Sequence, residues 1–325
     1  MQAAAINLRG GVVSPRGTLL RGQGIIEYVL IIAIIGLVIV FAGPGVAGAI
    51  RNQFNLVGNT VNSGTSGGAE GGGASGGGST GADSATVQAA IAKDAKDWTL
   101  GEQKAVAEGI AAKGEASSAY AKAKAAMDAG TKFSVKLTNG KTLEYRIVGI
   151  NHDDLADGSG KAGLTFEATN NVLGVQRMNA TDSNAGGWEK SELRGRLNSS
   201  DLWALLPAEI QSKAKAATKM TDNKGGGSAG TPSATTDKVF LLSLTEVYGD
   251  NRSNQSEGTQ YEYYKSKGVT YSSYSGASSS SHHWTRSVFQ GNSACYRHIT
   301  GTGWGGDGNN DGAADTYCVL PAWCF

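Results

Sequence analysis

The stretch "KFSVKLTNGKTLEYRIVGI", from Lys132 to Ile150, is the clearest structural signal in the chain. Apolar and polar residues alternate on both sides of Asn139-Gly140, a pair that favours the two-residue turn of a β-hairpin. The pattern therefore predicts two antiparallel strands with one buried face. Short helical patterns and further strand patterns follow the hairpin. This order predicts an α+β globular domain with a mainly antiparallel sheet over residues 131–325.

The same part of the chain carries a family resemblance. It rests on "VGINHDDLADGSGKAGLTFEATN", "MNATDSNAGGWEKSELRGRLN", "KVFLLSLTEVYG", "HHWTRS" and the closing "VLPAWCF". Together these stretches resemble a large family of bacterial surface and secreted proteins that is known only as a domain of unknown function. The order of hairpin, helices, "WTRS" strand and terminal "LPAWCF" strand also resembles C-type-lectin-like folds. The second resemblance implies such a fold here, and it names no ligand.

Two segments of different composition precede the domain. Residues 85–130 are rich in alanine and predict helices, the clearest of which starts at a capping box formed by Thr99 and Glu102. Residues 58–84 are a Gly/Ser tract with two charges, which predicts a flexible linker. A linker of this kind suits a display module on a tether better than a subunit packed on a rigid shaft.

The N-terminal part of the chain contains a long apolar run. From Ile25 to Ile50 the one charged residue is Glu27. A helix of this length could cross a hydrocarbon core of about 30 Å. A secretory signal fits poorly, because the run is long and no small-x-small cleavage site follows it. A plain anchor leaves Glu27 unexplained, since a carboxylate there is costly and usually marks a specific pairing.

"RGQGIIEY" followed by the apolar run resembles the processing site of type IV pilin-like proteins, especially Flp/Tad pilins and class III signal sequences. The resemblance implies that a prepilin peptidase removes residues 1–22, leaving 23–57 as a transmembrane or fibre-core helix. The glutamate would pair with the N-terminal amine of a neighbouring pilin subunit. It also implies insertion in the cytoplasmic membrane and then a place at the cell surface or in an extracellular filament. The processing and assembly residues are Gly22, Gln23, Glu27 and Tyr28.

Charge and cysteine content limit the possible partners and bonds. Residues 1–22 hold three arginines and no acid, and the remaining chain has 26 basic and 28 acidic residues. This balance argues against a nucleic-acid partner.

All three cysteines lie in the last 31 residues. Such clustering indicates one disulfide in an exported protein, joining Cys295 to Cys318 or to Cys324.

The segment from Ser293 to Asp315 predicts a binding loop between two strands. Tyrosine and tryptophan occur there among glycine and small polar residues, a composition typical of recognition surfaces. The resemblance to lectin-like receptors allows the sharper hypothesis that Ser281–Phe325 is a variable region rewritten by a retroelement. The candidate ligand-binding residues are Tyr296, Arg297, His298, Trp304, Asp307, Asn309 and Asn310.

Other chemistry is weakly indicated. "DGNNDGAAD" follows the first half of a calcium loop, but Cys318 stands where the bidentate glutamate belongs, so a surface loop is preferred. The C-terminal histidines and cysteines fit no zinc spacing. His152 could act as a base beside Asp153 and Asp154, but no nucleophile motif accompanies it, and the two aspartates are expected to cap a turn. No catalytic residue and no cofactor is predicted. The weak calcium candidates are Asp307, Asn309, Asp311 and Asp315.

Three functions follow from these patterns. The preferred one is a pilin-like surface protein that displays an adhesion or ligand-binding domain on a filament or membrane anchor, with a surface protein or a glycan as ligand. The first alternative is a structural major pilin whose C-terminal domain only coats the fibre. The second is an enzyme displayed at the surface, for which His152 is the candidate base.

Overall fold

The computed structural model describes residues 84–250, 256–273, 282–300 and 308–325. All of them lie in one compact unit, 52–325. The predicted leader, pilin-like helix and processing motif lie outside the described residues, as does the Gly/Ser linker up to residue 83. Ser84, assigned to the linker, is instead the N-cap of the first described helix, where its hydroxyl accepts a hydrogen bond from the Val87 amide.

The predicted fold class, which began with a hydrophobic pilin-like helix, is corrected by the structure. Among the helices that the structure describes, none is long and apolar enough to span a membrane. The longest, Leu100–Lys113, has 14 residues and mixes charged with apolar side chains. What the structure shows is an α+β domain with antiparallel sheets.

Nine α-helices are described. They are α1 (Ala85–Ile91), α2 (Leu100–Lys113), α3 (Tyr120–Ala129), α4 (Gly187–Lys190), α5 (Glu192–Ser199), α6 (Asp201–Leu205), α7 (Ala208–Lys213), α8 (Leu244–Tyr248) and α9 (Glu262–Ser266). The predicted capping box at the start of α2 is confirmed: the Thr99 hydroxyl accepts from the Glu102 amide, and the Glu102 carboxylate accepts from the Thr99 amide.

Twelve strands are described. They are β1 (Phe133–Lys136), β2 (Thr142–Ile150), β3 (Leu164–Ala168), β4 (Val175–Gln176), β5 (Ala217–Thr221), β6 (Ser233–Asp237), β7 (Val239–Phe240), β8 (His283–Val288), β9 (Cys295–Ile299), β10 (Gly308–Gly312), β11 (Tyr317–Cys318) and β12 (Ala322–Cys324). They form one sheet in the order β1-β2-β3-β12-β7, a second in the order β10-β9-β8-β11-β4, and the β5-β6 ribbon.

The hairpin predicted from Lys132–Ile150 is confirmed, with a different turn. β1 and β2 pair antiparallel, with Phe133 opposite Tyr145. The Gly140 amide donates to the Leu137 carbonyl at 2.9 Å, and Gly140 has a φ of +82°. The turn therefore encloses three residues rather than two, ending on a left-handed glycine that a side chain would strain.

An aromatic core covers the first sheet. Trp323 on β12 pairs with Phe166 on β3, and their rings stack with centroids 5.8 Å apart. Tyr145 lies 4.9 Å from Trp323, and Phe133 lies 5.6 Å from Tyr145. Pairs of this kind add about 0.5–1.5 kcal/mol each beyond the area they bury. The C-terminal strand is thus an interior strand on which the first sheet depends.

The segment predicted as a binding loop, Ser293–Asp315, contains two paired strands. β9 and β10 pair antiparallel, with Tyr296 opposite Asp311 and His298 opposite Asn309. The glycine and asparagine content of the segment favours a loop. In the structure β9 pairs with β8, so this polar sequence forms part of a sheet. The prediction of a loop is therefore wrong over the residues that form these two strands.

Candidate ligand-binding site

The structure separates the predicted ligand-binding residues. Tyr296 lies in the core with 0% of its surface exposed, and its hydroxyl donates to the Gly187 carbonyl at 2.8 Å. The guanidinium of Arg297 lies over the ring of Phe289, 4.4 Å from its centroid. Asn310 is half-buried and pairs with Arg297 across the hairpin. Trp304 and Asp307 lie outside the described residues, and only the backbone of Asn309 is described.

His298, one of the predicted ligand-binding residues, lies among other aromatic and acidic side chains. It lies opposite Trp284 of β8. His282 precedes β8 by one residue, so strand alternation puts it on the same face as Trp284. Tyr317 of β11 and Asp311 of β10 complete the group. We call these residues the His298 cluster: His282, Trp284, His298, Asp311 and Tyr317.

Ring packing defines the geometry of the His298 cluster. The centroid of Tyr317 lies 4.2 Å from that of His298 and 4.8 Å from that of Trp284, both in edge-to-face arrangements. His282 lies 6.1 Å from Tyr317 with the two rings nearly parallel, 11° apart. The indole nitrogen of Trp284 donates to the Gln176 carbonyl at 2.7 Å, which fixes the deepest ring. The cluster is therefore a group of mainly edge-to-face rings, of which Trp284 is the most deeply buried.

His298 is buried without hydrogen-bond partners. Its exposure is 2%, and neither ring nitrogen has a hydrogen-bond partner within the part of the chain that the structure describes. Nε2 lies 3.3 Å from Oδ2 of Asp311, but the contact lacks hydrogen-bond geometry. A buried polar group left unpaired costs about 1–3 kcal/mol. A ligand that satisfied both nitrogens would recover that free energy.

Electrostatics keep His298 neutral near pH 7. Burial lowers its pKa to about 4, against the opposing effect of Asp311, and His282 lowers it further. A neutral imidazole has one N–H donor and one bare nitrogen acceptor. The hydroxyl of Tyr317 donates to Oδ2 of Asp311. Burial and this acidic partner raise the pKa of Tyr317, so the phenol stays protonated.

The outer edge of the cluster is accessible. His282 is exposed, Tyr317 is half-buried, and the Asp311 side chain is 39% exposed. One edge therefore offers an aromatic ring, a carboxylate and an imidazole to a ligand, with the unpaired nitrogens of His298 beneath them. Such a mixture of apolar surface and a few fixed polar groups is typical of small-ligand sites.

The structure gives one result for the calcium candidates and another for the predicted disulfide. The Asp311 carboxylate, a calcium candidate, already accepts from Tyr317. No three His, Cys, Asp or Glu side chains among residues 84–250, 256–273, 282–300 and 308–325 are grouped to hold a metal ion. Cys295 and Cys324 carry free, buried thiols, so the predicted disulfide of Cys295 is absent. Cys295 lies in the second sheet and Cys324 in the first, each as a small core residue.

A second polar site, which the sequence analysis missed, lies inside the fold. Each of its charged side chains is at most 3% exposed. Lys219 on β5 lies 2.5 Å from Oδ1 of Asp153 and 2.5 Å from Oε1 of Glu246. Arg286 on β8 holds Glu246 from the other side through both terminal guanidinium nitrogens. We call this set the buried charge network: Asp153, Lys219, Glu246, Glu257 and Arg286.

Ion pairs outweigh the effect of burial on the pKa of Asp153 and Glu246, but not on the pKa of Glu257. Burial on its own would raise the pKa of Asp153, but the charge of Lys219 holds it well below its usual range. Arg286 and Lys219 likewise lower the pKa of Glu246 against burial. For Glu257, burial prevails and raises the pKa, although the Ser287 hydroxyl and the Asp222 amide donate to it. The network is sealed from solvent and joins β5, α8 and β8.

His152 contrasts with His298 because its ring nitrogens have partners. Its ring stacks on Tyr261 with centroids 4.0 Å apart, and Nδ1 lies 3.0 Å from Oε1 of Glu262. Nε2 lies 3.3 Å from the Thr259 hydroxyl. Burial lowers the pKa of His152, but the Glu262 hydrogen bond and the charge of Asp153 outweigh it and the net pKa is raised. The prediction that Asp153 caps a turn is wrong, since Asp153 belongs to the buried charge network.

Comparisons with known proteins find one family model that matches part of the chain. No curated protein and no solved structure matches the chain. The likeness to C-type-lectin-like folds therefore stays a prediction. Residues 163–322, which run from the residue before β3 into β12 and include the His298 cluster, match the family described as a domain of unknown function, DUF6273.

Proposed function

We propose that the α+β domain is a carbohydrate-binding domain and that the His298 cluster is its binding site. The observation that carries the proposal is the buried ring of His298, whose nitrogens have no hydrogen-bond partner among the described residues and whose neighbours His282 and Tyr317 are exposed and half-buried. An unpaired polar group at such a place is expected to have a partner in the functional state. The partner must supply both a donor and an acceptor.

Sugars meet this requirement better than most ligands. Each hydroxyl group of a sugar both donates and accepts, so neighbouring hydroxyls can pair with both nitrogens of a neutral imidazole. The apolar face of a pyranose can pack on an aromatic ring, and Tyr317 is the half-buried ring of the cluster. The Asp311 carboxylate would accept from further hydroxyls.

The same site argues for binding rather than catalysis. His298 is held neutral and faces a carboxylate that is already paired with Tyr317. His152, the base of the enzyme alternative, is engaged by Glu262, Thr259 and Tyr261. A fibre coat would not require an unpaired buried imidazole. We therefore favour recognition over both alternatives.

We further propose that the protein acts at the cell surface after cleavage behind Gly22. This part of the proposal rests on the sequence motif "RGQGIIEY". The domain and the leader are tested separately, because a purified chain can bind sugar whether or not its leader has been removed.

A glycan array tests the binding proposal. Full-length protein in detergent should bind one family of glycans, and Tyr317→Ala should reduce the apparent affinity at least about tenfold, which corresponds to about 1.4 kcal/mol. Asp311→Asn should weaken binding less, because the amide keeps one acceptor oxygen. Absence of binding to every glycan would refute the proposal.

A matched variant controls for a general loss of aromatic surface. Tyr120 on α3 is half-buried and packs against the core from a distant helix. Tyr120→Ala should leave glycan binding unchanged. If Tyr120→Ala and Tyr317→Ala weaken binding equally, the His298 cluster is not the site.

A further inference from the structure

We propose that the side chains of Lys219 and Asp153 condense to an intramolecular amide bond, an isopeptide cross-link, in the folded protein. The reacting groups are already in contact: Nζ of Lys219 lies 2.5 Å from Oδ1 of Asp153. The residues stand 66 positions apart in sequence, and both side chains are at most 3% exposed. The cross-link would tie the segment after β2 to the β5-β6 ribbon.

Aromatic rings hold the lysine in place. Nζ lies 4.3 Å from the centroid of Phe240 and 5.4 Å from that of Tyr261. Nζ donates to Asp153 and to the Tyr261 hydroxyl, which is 3.1 Å away, and it forms an ion pair with Glu246. A nucleophile and an acceptor fixed in this way react as if at very high concentration, because their encounter entropy has been lost during folding.

Hydroxyl donors activate the carboxyl group of Asp153. The Thr165 hydroxyl donates to Oδ2 at 2.6 Å, and the Tyr261 hydroxyl lies 2.8 Å from the same atom. When the lysine nitrogen attacks Cγ, negative charge develops on the carboxyl oxygens. Donors that are already oriented toward an oxygen stabilise such charge without reorganisation.

Glu246 serves as the proton carrier rather than as the second partner. Its Oε1 lies 2.5 Å from Nζ, within reach of a proton on the amine. Arg286 holds the carboxylate through two hydrogen bonds, and the Ser243 amide donates to Oε2 at 3.1 Å. These contacts fix the position of the carboxylate, and a general base that is also to act as general acid must lie within hydrogen-bond reach of the proton that it takes and returns.

The reaction balances without any external reagent. It starts from an ammonium group and a carboxylate. Glu246 takes one proton from Nζ, and the free amine attacks Cγ of Asp153 to form the C–N bond. Glu246 returns the proton, and a second hydrogen from nitrogen follows, to the oxygen that leaves as water. The products are an amide and one water molecule, with Glu246 restored and no change in oxidation state.

Burial of the reacting groups favours condensation over hydrolysis. Cys324, Thr165 and Tyr261, which surround the Asp153 carboxyl, are each 0% exposed. The released water leaves a site that bulk solvent does not enter, so hydrolysis is disfavoured. Condensation also removes one buried cation and one buried anion, whose desolvation is costly even when they are paired.

Mass spectrometry of the full chain tests the proposal. The denatured wild-type protein should have the mass of its sequence, from the N-terminus found by sequencing, minus one water. Proteolysis should release a branched peptide in which the Lys219 side chain is joined to Asp153. A folded wild-type protein with its full sequence mass would overturn the proposal. So would a branched peptide that ends on Glu246.

Conservative variants show whether a loss of water comes from the cross-link or from dehydration elsewhere in the chain. Lys219→Arg keeps the positive charge but cannot form the bond, so it should retain the full mass. Asp153→Asn should lose ammonia instead of water, because the amide nitrogen becomes the leaving group. Water loss that persists in Lys219→Arg would contradict the assignment. Circular dichroism of each variant identifies those that fold, and the wild-type result stands without them.

Discussion

Arg286 on β8 and Glu246 on α8 form a two-armed ion pair in the centre of the fold, with Nη2 2.8 Å from Oε1. Arg286 also donates to the carbonyls of Leu241 at 2.8 Å and Glu257 at 3.0 Å, and its Nε donates to the Thr221 hydroxyl at 2.8 Å. The two residues thereby connect the second sheet with the β5-β6 ribbon and with α8. The buried ion pair, together with the apolar core, therefore determines how the second sheet packs against the β5-β6 ribbon and α8.

Removing this arginine should be severely destabilising. Arg286→Met fills much of the same volume but removes the guanidinium that pairs with Glu246 and donates to three carbonyls, those of Met220, Leu241 and Glu257. Loss of one partner of a buried ion pair costs about 3–5 kcal/mol. Urea unfolding followed by circular dichroism should show a drop of that size in the free energy of unfolding.

A surface pair provides the control for Arg286→Met. Arg196 and Asp201 pair at 2.6 Å with side chains 31% and 58% exposed. Arg196→Met should cost less than about 1 kcal/mol, because solvent screens the pair. Equal losses in the two variants would mean that burial does not govern the Arg286 pair.

Gly163 should not tolerate a side chain. A Cβ atom there would lie 1.8 Å from the carbonyl oxygen of Ala107 on α2, next to the start of β3. Gly163→Ala must push the helix from the sheet, which typically costs about 1–3 kcal/mol or more. Gly195→Ala is the control, because it lies in α5 with open space around it and should stabilise the helix by up to about 1 kcal/mol. Thermal unfolding of both variants measures the difference, and no loss in Gly163→Ala would refute the close approach.

Acid should destabilise the fold through His298. Its pKa is about 4 in the folded state and about 6.5 when unfolded, so between those pH values the unfolded chain binds the extra proton. Stability from this group is complete above pH 6.5 and is lost as the pH falls toward 4, by up to about 3 kcal/mol. Unfolding free energies measured across this range should fall less steeply in His298→Gln than in wild type.

Glu167 should make the fold less stable as the pH rises, which is the opposite of the dependence expected for His298. Burial raises its pKa to about 7, although the charge of Arg146 and the Tyr264 hydroxyl lower it. The folded protein therefore binds the extra proton between pH 4.5 and 7, and stability from this group is lost as the pH rises through 7. Glu167→Gln should lose this dependence. A wild-type profile that is unchanged in both variants would show that neither group titrates as its burial implies.

Cleavage at the N-terminus is a separate prediction. Protein isolated from the cell surface should begin at Gln23, and Gly22→Ala should accumulate as uncut precursor. N-terminal sequencing measures both. A surface form that retains residues 1–22 would refute processing and leave the binding proposal untouched.

The sequence predicted the local features of the fold well, because they depend on neighbouring residues. The hairpin at Asn139-Gly140 and the capping box at Thr99 follow from periodicity and from short-range hydrogen bonds. The loop prediction failed over β9 and β10, because pairing of β9 with β8 is a long-range contact that overrides a Gly/Asn-rich composition. Register between distant strands has no local signal.

The predicted ligand-binding residues do not form one group in the structure. His298 was a candidate from composition and Asp311 only a weak calcium candidate, whereas Tyr296, also a ligand-binding candidate, fills the core. The buried charge network was missed because Asp153, Lys219, Glu246 and Arg286 come from four separate segments. A charge inside a predicted strand, such as Arg286 in "HHWTRSVF", was the available signal. Its partners could be known only from the fold.

The central claim is that the His298 cluster binds a sugar, and nitrogen-detected NMR of the histidine rings tests it most directly. Full-length protein is titrated with the soluble form of the glycan that binds best on the array. Saturable changes at the ring nitrogens of His298, absent at those of His152, are the predicted result, since His298 lacks partners and His152 has them. Glycan binding that leaves the His298 nitrogens unchanged would contradict the account.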